Sequence, residues 1–288
     1  MLKLGNATYT KDGVLVIYDE ELEAFAYAQL KDYDKNYFKT PHALDVDDFV
    51  ENYLHRKVIY YKLSLDKSVL GITAISDGKI SVVNSDNKLD VKIFPKGTMC
   101  IDLDACDSET RANFTIIHEA GHSQFDMNVN PAILENKSVI QDTYLMIGGT
   151  LFKVKARTPK DWMEHHADKY ATFILMPKKF VVKLFKEKHK EYFNGERRLT
   201  KHRPQRTWLM IASIAEILNV SKKAMAYRLR DLDLISEEVF LSLGLYKTKK
   251  GGDDNMLWWM QWKYWKGAKM IINKINAKKI VTSANGHD

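Results

Sequence analysis

The chain of 288 residues has only two cysteines, Cys100 and Cys106, too few for a disulfide framework. Both are expected to be buried or idle thiols, with a zinc-ligand role as the lesser reading. Nowhere does the sequence approach the run of about eighteen apolar residues that a membrane-spanning helix needs. Its first thirty residues lack a basic-then-apolar secretory leader. No integral membrane span is therefore expected, and the cytoplasm is the expected compartment. The apolar content, 45%, suffices to bury a real core in one domain with additions.

Positive charge is local. Residues 178–206 carry eleven lysines and arginines against three glutamates, whereas the whole chain is only +7. A solvated helix over 178–192 followed by a basic loop accounts for this, as does a patch for an acidic partner or nucleic acid. Charge alone does not choose between them.

The segment Phe114-Thr115-Ile116-Ile117-His118-Glu119-Ala120-Gly121-His122 carries the chemistry. Histidines four apart stand about 40° apart around a helix, so both imidazoles reach one metal ion. Glu119 lies beside them, placed to meet a water at that ion. This is the H-E-x-x-H arrangement of zinc peptidases, with the glutamate as general base. Ser108 is the candidate N-cap of a helix over 109–125, with Glu109 in its first turn. Gly121 weakens a helix interior by about 1 kcal/mol relative to alanine, which makes sense if something approaches the backbone closely there.

A catalytic zinc takes three protein ligands. Met163, Ala167, Tyr170, Ala171 and Ile174 recur at three and four, which predicts a second amphipathic helix stopped by Pro177. Glu164 and Asp168 share one of its faces. A ligand glutamate with an aspartate one turn later is the glutamate-zincin pattern, in which the aspartate holds the far nitrogen of a ligand histidine. His165 and His166 are rivals to Glu164, although they point about 100° and 200° away from it.

These residues, with Ile174-Leu175-Met176-Pro177, resemble the ImmA/IrrE family of metallo-endopeptidases. That family shows an F-T-x-x-H-E-x-G-H helix, then an E-x-E-A-[ND]-x-F-A helix ending in L-M-P. A third block is also similar: Ile214 to Ser221, continuing through Ala224, Met225, Arg228, Leu229, Leu232 and Ile235. The three cover most of residues 100–240. Two departures stand out, His166 for the family's second glutamate and Tyr170 for its phenylalanine. The resemblance implies Zn2+ held by His118, His122 and Glu164, Glu119 as catalytic base, and Asp168 behind a histidine. It implies a helix-turn-helix repressor of a phage or mobile element as the protein substrate. A peptidase inside a cell must be selective, which suits such a substrate. Tyr170, His165 and His166 are the candidate oxyanion partners.

The expected fold is α+β: a zincin-like domain over 1–205, in which a small sheet accompanies the H-E-x-x-H and E-x-x-x-D helices. A helix-turn-helix-like segment follows over 206–246, and a Trp- and Lys-rich tail over 247–288. Helices are expected at 20–30 and 44–54, and strands at 58–63 and 98–103. A hairpin is expected from 69–75 and 79–83 through Asp77-Gly78, and another at 146–154 around Gly148-Gly149. Residues 211–235 have helix-turn-helix spacing with Lys222, Lys223, Arg228 and Arg230 on the second helix, yet Ala224, Met225, Leu229 and Leu232 face a core by period. The tail holds four of the six tryptophans. It fits docking on its own domain or a twin subunit, a membrane interface, or base stacking. The rival to the peptidase is a DNA- or protein-binding transcriptional regulator whose metal site is structural or vestigial.

Overall fold

The computed structural model describes residues 8–9, 13–129, 142–147, 150–155, 159–194 and 199–245. They divide between two compact units, a larger one of residues 1–137 and 158–245 and a smaller one of 138–157 and 246–288. The Trp-rich tail lies outside the described residues.

In the larger unit, β1 (Thr8–Tyr9) and β2 (Leu15–Val16) form a small antiparallel pair ahead of α1 (Asp19–Tyr33). Asp19, Glu20 and Glu21 fill the first turn of α1, where carboxylates complement the free N–H groups of a helix start. The helix expected at 44–54 forms only in part. A π-helical segment, Asp48–Tyr53, follows a turn in which Asp45 Oδ1 accepts from the Asp48 N–H.

Next come β3 (Val58–Tyr60), β4 (Gly71–Thr73), β5 (Gly78–Val83), β6 (Leu89–Phe94) and β7 (Met99–Ile101). Met99, Cys100 and Ile101 have no solvent exposure, so both faces of this strand are covered, as in the interior of a sheet. β7 is accordingly central, parallel to β3 and antiparallel to β4. This corrects the expected hairpin of 69–75 with 79–83. β4 is drawn to β7, and β5 pairs with β6, a strand the sequence reading did not identify. The turn sits at Asn84–Lys88 instead: Asn84 Oδ1 accepts from the N–H groups of Asp86 and Lys88, and Asn87 takes the positive φ.

Helix α2 (Glu109–Phe125) has the expected limits, with the Arg111 N–H donating to Ser108 Oγ. The hairpin of β8 (Asp142–Ile147) and β9 (Thr150–Lys155) belongs to the smaller unit and surrounds positions 148–149, as expected. The larger unit resumes with α3 (Pro159–Leu175) and α4 (Lys178–Phe193). α4 buries Phe180, Val181, Leu184 and Phe193 and leaves Lys178, Lys179, Lys183, Lys186 and Lys190 in water. The helix-turn-helix-like block is α5 (Pro204–Ile217) and α6 (Lys222–Asp231), joined through Asn219 at φ 49°, and α7 (Glu237–Ser242) ends the described chain.

Helices α2 and α3 pack closely because Gly121 has no side chain. A Cβ there would lie 2.9 Å from Ala167 Cα and 3.3 Å from the Tyr170 ring. No helix among the described residues is long and apolar enough to cross a membrane.

Candidate metal centre

The approach at Gly121 brings two faces together. His118 and His122, one turn apart on α2, meet Glu164 from the first half of α3, and their donor atoms all lie within 4.8 Å of one another. Glu164 Oε2 is 3.5 Å from His118 Nε2 and 3.9 Å from His122 Nε2. The two Nε2 atoms are 3.1 Å apart.

The far nitrogen of each histidine is held. His118 Nδ1 lies 2.9 Å from Asp168 Oδ1, as the i, i+4 spacing of Glu164 and Asp168 led us to expect. His122 Nδ1 lies 2.7 Å from Asp126 Oδ2, a contact absent from the sequence reading. Its signal was there, since Asp126 follows His122 by four residues and shares its helical face. Asp126 is 1% exposed, and its burial raises the carboxyl pKa above the ordinary range, against the opposing pull of His122.

In the tautomer that gives each Nδ1–H to its carboxylate, both Nε2 atoms offer a lone pair on the side of Glu164, where a metal would take it. Two such nitrogens at 3.1 Å repel unless a cation sits between them. Burial works against a charged His118, but the protonated ring donates from Nδ1 to Asp168 and from Nε2 to Glu164, and these bonds outweigh burial and push its pKa up to about 10. The His118 contact holds the Glu164 carboxyl below its usual range, against burial. The cluster is built to hold positive charge, and two imidazoles with one carboxylate form a donor set that suits zinc.

Glu119 points another way. It is 6% exposed, and Thr73 Oγ1 on β4 lies 2.6 Å from Glu119 Oε2 and 3.0 Å from the Glu119 carbonyl oxygen. A Cβ on Gly71 would come within 2.8 Å of Glu119 Cγ and Oε1, so β4 needs glycine where it passes the carboxylate. Neither Thr73 nor Gly71 was foreseen, because their relation to Glu119 depends on β4 pairing with β7.

These residues line one cleft of about 720 Å³, together with Val69, Ile72, Phe114, Met163 and Lys160. One of its walls is β4, an edge of the three-stranded sheet. The candidate oxyanion partners do not line it. Tyr170 is fully buried and donates its hydroxyl to Gln29 Oε1 at 2.8 Å. His165 Nε2 lies 2.8 Å from Asp19 Oδ1, and the buried His166 ring stacks on Trp162. His165 therefore faces α1 and His166 lies against Trp162, both turned away from Glu164 as their angular offset implies. Cys100 and Cys106 are buried, and burial raises both thiol pKa values, to about 11 for Cys100.

Compared with protein-family models and with curated proteins, the chain matches none.

Proposed function

We propose that this chain is a zinc-dependent endopeptidase of the kind that the ImmA/IrrE resemblance implies, acting on a specific protein inside the cell. The observation that carries the reading is the division of labour within H-E-x-x-H. His118 and His122 converge with Glu164, while Glu119 stands apart on Thr73 in the same cleft. A purely structural site has no use for such a glutamate and usually takes four protein ligands.

Zinc held by His118, His122 and Glu164 would lower the pKa of a water from about 15.7 to about 7 and polarise the scissile carbonyl. Glu119 takes the proton of the attacking water and passes it to the leaving amine, a role worth roughly 10²–10⁴ in rate. Thr73 holds Glu119 Oε2, leaving Oε1 to receive the proton. An extended peptide pairs with the edge of β4 that no strand among the described residues covers, which fixes its scissile bond against Glu119. By the resemblance, the substrate is a helix-turn-helix repressor of a phage or mobile element.

The DNA-binding alternative has less support. Arg228 is 3% exposed, donates to the Met176 carbonyl and pairs with Glu23, and Arg230 packs over Tyr227 and Phe240. Of the four cations noted on α6, only Lys222 and Lys223 remain in water.

The test is to incubate the chain with the repressor encoded nearest to it, with and without a chelator, and to measure bound zinc. Chelator-sensitive cleavage and about one zinc per chain are expected. Glu119→Gln should keep zinc and lose at least ~10² in rate. Zinc that stays stoichiometric after both histidines are replaced would refute the ligand set, and a Glu119→Gln variant cleaving within a few-fold of wild type would refute the mechanism.

A further inference from the structure

Strand β6 turns an apolar face to water. Leu89, Val91 and Ile93, alternate residues on one side, are 67, 54 and 74% exposed. A strand edge of this kind is a template for another strand. The edge opposite β5 pairs with no strand among the described residues.

The phase of the hairpin fixes which backbone groups lie on that edge. The Asn84 N–H donates to the Lys88 carbonyl, and the register runs Val82↔Asp90 and Ile80↔Lys92. Hydrogen-bonded pairs alternate along an antiparallel ladder, so the groups of Asp90, Lys92 and Phe94 face β5. Those of Leu89, Val91 and Ile93 face outward. In keeping with this, the Val91 N–H points away from β5 and donates to the Asp90 side chain at 2.8 Å, a bond that pairing with another strand would exchange for one to a backbone carbonyl.

We propose that this edge binds a second copy of the chain, β6 against β6, antiparallel about a two-fold axis at Val91. The outward groups then meet as hydrogen-bonded pairs: Val91 with Val91, and Leu89 with Ile93 of the other copy. Between them Asp90 faces Lys92 of the other copy, and Lys92 faces its Asp90. Sliding the strands by one pairing step in either direction sets Asp90 against Asp90 or Lys92 against Lys92, and like charges directly opposite destabilise a sheet. Of these three registers, only the one centred on Val91 satisfies the backbone and the charges together. Within one copy Asp90 and Lys92 already lie 3.0 Å apart on the same face, and both are half-exposed, within reach of a facing strand. The sheet becomes four-stranded, with the apolar residues of both copies side by side. The contact is isologous, as expected of a two-fold dimer.

An interface of one strand pair is small, so the dimer forms by a concentration-dependent equilibrium. Sedimentation of the full chain from about 1 μM to about 500 μM should show monomer passing into dimer. Asp90→Lys and Lys92→Asp each create like-charge pairs and should stay monomeric across that range. An equimolar mixture of the two, or the double variant Asp90→Lys/Lys92→Asp, should regain the dimer. Thermal melts matching wild type would show that these half-exposed changes leave the fold intact. A wild type that is monomeric throughout, a dimer that both single variants retain, or a mixture that stays monomeric would each overturn the proposal.

Discussion

The hydroxyl of Thr73 lies 2.6 Å from Glu119 Oε2, which ties the proposed general base to a strand rather than to its own helix. A neutral donor on a carboxylate that must move a proton fixes its position without removing its charge. A hydrogen bond to a charged group contributes about 1.5–3 kcal/mol. Thr73→Val should therefore lower kcat roughly 10–100-fold while zinc content and KM stay near wild type. Thr73→Ser restores the donor and should recover most of the rate. Equal kcat values for the valine and serine variants would show that the hydroxyl does not position Glu119.

Asp168 and Asp126 make the same contact from different places, one from α3 to His118 and the other from the C-terminal cap of α2 to His122. Each should be worth roughly 10–100-fold in zinc affinity. Chelator competition on Asp168→Ala and on Asp126→Asn, the latter chosen because its site is buried, measures this. An affinity unchanged in Asp168→Ala would make that residue an ordinary surface acid, and the same result for Asp126→Asn would leave its carboxylate a role in packing alone.

How far these contacts could be read from sequence depends on whether they lie within one helix. The limits of α2, the convergence of His118 with His122, and the Glu164–Asp168 face follow from helical periodicity, which is local. Asp126 obeyed the same spacing and could have been found. Thr73 could not, because its place depends on β4 taking β7 as a partner in preference to β5. A three-residue strand carries too little pattern to decide that. His165 and His166 show the converse: chemically they suit a metal, but their angle on α3 sends them toward Asp19 and Trp162.

The pair Asp19–His165 ties α1 to α3, and Lys169 Nζ lies 3.4 Å from the other carboxylate oxygen. Burial opposes the charge on Asp19, yet the His165 hydrogen bond and Lys169 outweigh it and hold its pKa well below the usual range. A carboxyl whose folded pKa is depressed adds stability above its unfolded value, near 3.8, and loses it as pH falls through the lower folded value. Asp19→Asn should therefore melt several degrees below wild type at neutral pH, with a gap of about 3–8 °C. That gap should narrow as pH drops below about 4. A difference that stays constant from neutral pH into that acid range would mean the charge on Asp19 contributes nothing.

Gly121 links packing to the metal centre most directly. In an exposed helix, glycine to alanine gains about 1 kcal/mol. Here the new Cβ would stand 2.9 Å from Ala167 Cα, a backbone atom that cannot turn aside, and 3.3 Å from the buried Tyr170 ring. Overpacking of this kind costs about 1–3 kcal/mol and is relieved only by moving α3 away from α2. Glu164 lies on α3 less than one turn before Ala167, so the same movement draws its carboxylate off His118 and His122. Gly121→Ala should then melt lower than wild type even in chelator, and should bind zinc roughly tenfold or more weakly, as ligand geometry loosens. A variant that melts higher and binds zinc as tightly as wild type would show that the two helices have slack at this contact. The three-ligand geometry would then not depend on their close approach.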